Sequence, residues 1–99
     1  MFVHHVFFWL SPGADRGQLI EGLRALATLD LFRQVHIGIP ADTHRDVVER
    51  SYAVSWMVFF DSAADQEKYQ SHPMHLKFVA DCKHLWQKVV VFDSVPAGA

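Results

Sequence analysis

Tyr69-Gln-Ser-His-Pro-Met-His-Leu-Lys-Phe-Val79 is the stretch on which the fold turns. Pro73 lacks a backbone N–H and clashes inside a helix, so it ends one helix and opens the first turn of the next. Downstream, His75, Phe78, Val79, Cys82 and Trp86 recur at the spacing of a single helical face. That face is apolar except for His75, which places an imidazole under the cover of the fold with Tyr69 just across the proline break. A neutral imidazole, with a free pKa of about 6.5, takes a proton at neutral pH, and a phenol donates to a developing enolate oxygen. His75 as general base and Tyr69 as hydrogen-bond donor are therefore the candidate catalytic pair. The plainer alternative is a core histidine satisfied by a tyrosine hydroxyl. His72 reads as a cap or a partly exposed residue at the helix break, a structural role. His72, His75 and His5 lack a supporting acidic or thiolate ligand, so neither a metal nor another cofactor is called for.

Working outward, Asp61 or Ser62, with Asp65 three residues beyond Ser62, caps the helix that runs through Ser71, and the helix after Pro73 reaches about Leu85. Val-Val-Val-Phe marks a strand over 87–95, followed by a loose tail at 96–99. Upstream, Phe2–Leu10 and Tyr52–Phe60 are aromatic and β-branched strands, and Phe32–Ile39 is a weaker one ending at Pro40. Asp15 and Gln18 start a helix whose apolar stripe is Leu19, Ile20, Leu23, Leu26 and Ala27 and which ends near Asp30; Gly17 and Gly22 weaken it slightly. Residues 41–50 are a solvated loop in which His44 is a surface residue. The order β-α-β-β-α-β predicts an α+β, ferredoxin-like fold: a four-stranded antiparallel sheet with the helices on one face. The whole chain, 1–99, reads as one domain.

The 99 residues are 51% hydrophobic with a formal charge of −2 and no basic cluster, which argues against a nucleic-acid partner. Cys82 is the sole cysteine and reads as a buried thiol. The first ten residues carry His4 and His5 without a cationic start, so they read as a strand and not as a signal peptide. With no apolar run of about 18 residues, no membrane span is expected and a cytoplasmic location is.

Both alternating sets of the strands over 2–10 and 52–60 are mostly apolar. Two helices cover one sheet face, which leaves Val6, Phe8, Leu10, Met57 and Phe59 as an exposed patch. Packing that patch on a second copy predicts a homodimer with a two-fold interface, broken by a lysine at Phe8.

The leading strand with its histidine, Val35-His36-Ile37-Gly38, the Tyr69…His72-Pro73-x-His75 run and Trp86…Val91-Phe92-Asp93 together resemble the stress-responsive dimeric α/β-barrel family. The resemblance implies a dimeric barrel with a cavity between sheet and helices. One plant branch, the olivetolic acid cyclases, closes a linear polyketide by aldol condensation. Its catalytic histidine and tyrosine match His75 and Tyr69, its first-strand pocket histidine matches His5 and a pocket tryptophan matches Trp86. A second pocket histidine has no counterpart, because Val54 stands there. The resemblance also implies that His5, Phe7 and Trp9 face the cavity with Val54, Trp56 and Val58, while the His4 set faces the partner. The expected pocket walls are then His5, Phe7, Trp9, Leu23, Trp56, Phe78 and Trp86. Three functions follow: a small-molecule enzyme acting on a carbonyl or aromatic, polyketide-like compound, a non-catalytic binding or assembly module, or a haem-handling barrel.

Overall fold

The computed structural model describes residues 1–98; of the tail expected at 96–99, Ala99 lies outside the described residues. Strand β1 (Phe2–Leu10) leads through a turn to helix α1 (Arg16–Leu26), then β2 (Gln34–Gly38) and β3 (Val54–Phe60). Helices α2 (Ala63–Ser71) and α3 (Pro73–Cys82) follow, then a single 3₁₀ turn (Lys83–Leu85) and β4 (Trp86–Ser94). The expected order is present, with the second helix broken at Pro73. Strand β1 has the expected bounds and β4 begins and ends one residue earlier than expected, while β2, β3, α1 and α3 are shorter than expected by a few residues at their ends.

Local chemistry accounts for the boundaries. The Asp15 carboxylate accepts from Gly17 N–H at 2.8 Å and caps α1. Ser62 Oγ accepts from Asp65 N–H at 3.2 Å and caps α2. His72 serves both sides of the break: its N–H bonds the Tyr69 carbonyl, and its Nδ1 accepts from Met74 N–H at 3.1 Å while Pro73 occupies the first position of α3.

The sheet runs β2-β3-β1-β4 and is antiparallel throughout. Residues directly opposite one another share a face. The β1–β3 register pairs His4 with Val58, Val6 with Trp56 and Phe8 with Val54. The β1–β4 register pairs His4 with Asp93, Val6 with Val91 and Phe8 with Val89. All of these sit on the helix-covered side, and Val6, Phe8, Val54, Trp56, Val58 and Phe60 form the core with Leu19, Leu23, Leu26 and Phe78.

The expected face of β1 is thereby inverted. His5, Phe7 and Trp9 do not look toward the helices; they stand on the uncovered side with Met57 and Phe59, while the His4 set is inside. Both sets are equally apolar, so alternation alone carries no sign; the β1–β3 register decides it. Phe8, at 3% exposure, is core and not part of the open patch. The second apolar face exists, but it is made of His5, Phe7, Trp9, Tyr52, Val90 and Phe92.

Gly22 is where α1 meets α3. A Cβ there would stand 2.7 Å from Cys82 Sγ, so the helices approach because that position has no side chain.

Candidate functional site

Between the helices and the inner sheet face lies a pocket of about 160 Å³, lined from the sheet by His4, Val6, Phe8, Trp56, Val89 and Val91 and from the helices by Leu23, Tyr69, His75, Phe78 and Val79. Trp86, at the start of β4, also lines it, stacked on Phe78 with ring centroids 5.8 Å apart. The volume is close to the roughly 150 Å³ of a cavity that holds one benzene ring. It is smaller than a porphyrin, so the pocket does not favour the haem-handling alternative. Among the described residues, no three His, Cys, Asp or Glu side chains converge on a common point that would hold a metal ion.

His75 and Tyr69 come together as the helix break requires. Their rings lie 4.4 Å apart at 47°, a tilted stacking contact and not a hydrogen bond. His75 is half-buried, and its Nδ1–H donates to the Gln70 carbonyl at 3.1 Å. That bond fixes the tautomer, leaving Nε2 with a free lone pair. Burial pulls the His75 pKa below its usual value, against a smaller opposing effect of the Gln70 carbonyl, so the ring is neutral at pH 7. Tyr69 is 2% exposed, and burial pushes its phenol far above the ordinary range, offset a little by the nearby Trp56 indole. The hydroxyl therefore stays protonated and able to donate.

A second imidazole, missed in the sequence, completes the group. His4 is buried at 6%, and its ring lies 5.9 Å from that of Tyr69. Its Nδ1–H donates to the Asp93 carboxylate at 2.6 Å, a pairing that follows directly from the two residues being opposite across β1 and β4. A carboxylate only accepts, so Nδ1 carries the proton and Nε2 is the open nitrogen. The signal was present in the sequence as a His-His pair and an aspartate at the end of the last strand, but only the register says which histidine meets it.

Of the wall residues expected from the sequence, Leu23, Trp56, Phe78 and Trp86 are here with Tyr69 and His75. His5, Phe7 and Trp9 are not. They line a separate, larger and mainly apolar hollow of about 550 Å³ on the open sheet face, with Glu49, Tyr52, Lys88, Val90 and Phe92.

The sequence matches the model of the stress responsive A/B barrel domain over residues 2–96. None of the curated proteins matches it. Among solved structures, a hydroxynitrile lyase from Passiflora edulis superposes with a TM-score of 0.80 at 19% identity, over 99% of this chain and 94% of its own. A Dabb-family protein with a ferredoxin-like fold from Mesorhizobium loti gives 0.76 at 20% identity, covering 98% and 97%. A dimeric ferredoxin-like protein of unknown function from Thermobifida fusca gives 0.76 at 17%, covering 96% and 90%. At these identities the likeness is one of fold.

Proposed function

We propose, on the premise that this chain belongs to the stress responsive A/B barrel domain family, that its inner pocket binds and converts a small carbonyl compound. His75 acts as general base and Tyr69 as donor to the oxygen. The observation that carries the reading is the convergence of two imidazoles and a phenol on one apolar, ring-sized pocket. His75 Nε2 takes a proton from the carbon next to the carbonyl. The C–H electron pair passes into an enolate whose oxygen receives the Tyr69 hydrogen bond, and the imidazolium then returns the proton to carbon or to a second carbonyl that the enolate attacks. His4, oriented by Asp93, stands as a second acceptor for that proton. The pocket size favours an aromatic or polyketide-like compound of about one ring.

The test is exchange of α-protons for deuterium in acetophenone and β-keto compounds, followed by NMR in D₂O. Wild type should accelerate exchange, and His75→Ala should lose it by roughly 10²–10⁴-fold while its melting temperature moves little. Tyr69→Phe should keep binding and lose rate. If all three proteins are inert and differ only in stability, His75 is a structural histidine and the enzymatic reading falls.

A further inference from the structure

Trp56 is 1% exposed, and its Nε1 is the one buried side-chain polar atom among the described residues that has no hydrogen-bond partner. The Tyr69 hydroxyl lies near enough for the indole to lower its pKa slightly, yet the two form no hydrogen bond by distance and angle. A buried donor left without an acceptor is costly, and native proteins keep few of them. This one belongs to a residue of the central strand β3 that lines the pocket shared with His4, Tyr69 and His75. An indole N–H donates and never accepts, so its natural complement is an oxygen acceptor on whatever fills the pocket.

We propose that the Trp56 indole N–H is a specificity-determining donor at the sheet floor of the pocket, selecting single-ring ligands that carry a carbonyl or similar oxygen acceptor. This rests on the pocket being a ligand site, as argued above, and adds what it chooses. A pocket walled by Val6, Phe8, Leu23 and Phe78 admits any ring of the right size; it cannot by itself tell a ketone from a hydrocarbon. The unmet N–H can, because a hydrocarbon leaves it unpaired and a ketone does not. Trp56 is a positioning residue in this scheme: it turns the carbonyl so that the neighbouring carbon is offered to the imidazoles, and it moves no proton.

The test compares two near-isosteric probes, acetophenone and ethylbenzene, binding to wild type and to Trp56→Phe, which keeps an aromatic ring and loses the N–H. Wild type should prefer the ketone by roughly 3- to 10-fold, the range expected of one neutral hydrogen bond, and Trp56→Phe should show no preference. Should Trp56→Phe fold poorly, the wild-type protein still answers through its ¹⁵N-labelled indole resonances, with Trp56 assigned by the loss of the Trp9 signal in Trp9→Phe and of the Trp86 signal in Trp86→Phe. The Trp56 N–H proton should move downfield with acetophenone and stay put with ethylbenzene. Equal binding of both probes, or an unmoved Trp56 signal with acetophenone bound, overturns the role of Trp56 and leaves the pocket intact. Binding of neither probe removes the pocket as a ligand site and this inference with it.

Discussion

At the scale of the residue, His75 shows how one side chain carries both a stability and an activity signature. Its pKa is lowered in the folded state, chiefly by burial, so the unfolded chain binds its proton more readily. The stability it permits is complete above the unfolded value of about 6.5 and is lost as pH falls from there toward the folded value. Thermal melts between pH 5 and 8 should therefore fall on the acid side more steeply for wild type than for His75→Asn. Parallel curves would mean that the ring is solvated and its burial immaterial. Beside it, His4 has its Nδ1–H tied to Asp93 at 2.6 Å. Asp93→Asn keeps the shape but can present its amide N–H₂ instead of an acceptor, releasing the tautomer. If His4 shares the proton traffic, deuterium exchange should drop in Asp93→Asn with the melting temperature nearly kept; an unchanged rate confines His4 to packing.

Among the elements, α2 is the most dependent on its ends. It spans nine residues, Ala63–Ser71, and buries only Tyr69. A helix this short has little stability of its own, so the Ser62 cap and the His72-Pro73 stop hold Tyr69 over the pocket. Ser62→Ala should cost about 1 kcal/mol in denaturant melts and loosen Tyr69 with it. Helix α1 makes the opposite point, because Gly22 looks like a weakness in the sequence and proves to be a contact. An added Cβ gains helix propensity of up to about 1 kcal/mol but meets Cys82 Sγ at 2.7 Å, and overpacking costs about 1–3 kcal/mol. Gly22→Ala should be destabilising alone and neutral or stabilising in a Cys82→Ala background. A stabilising single substitution would show that α1 and α3 have room to separate.

For the whole molecule, the feature that bears on assembly is the open sheet face. His5, Phe7, Trp9, Tyr52, Val90 and Phe92 make an apolar surface that no helix covers, and Phe92 is 61% exposed. A second copy seated on it is the proposed partner, in keeping with neighbours of this fold described as dimeric. Phe7→Lys should then give a folded monomer by sedimentation, whereas Phe8→Lys buries a charge at a core position and should unfold. A wild-type monomer at micromolar concentration defeats the pairing. His5 stands on this face, with a pKa lowered by burial first and then by the charges of His36 and His4. It stays neutral at pH 7 and takes its proton only below the usual value, so association should weaken as pH falls well below 6.5.

The sequence by itself determined the element order, the break at Pro73, the cap at Asp15, a cap at Asp61 or Ser62, and the meeting of Tyr69 with His75. These are local: each follows from a missing N–H, a short polar side chain or a helical repeat within a few residues. It also determined that both sheet faces are apolar, from the composition of β1 and β3. What it left open was which face is which. His4, Val6, Phe8 and His5, Phe7, Trp9 are near-equivalent strings, and a shift of one residue in strand pairing exchanges them. That choice is made by the β1–β3 and β1–β4 registers, contacts between residues fifty to ninety positions apart, which put Val6 against Trp56 and His4 against Asp93. Only the tertiary structure could therefore show that His4 and not His5 joins Tyr69 and His75, and that the buried Trp56 N–H beside that pocket is left without an acceptor.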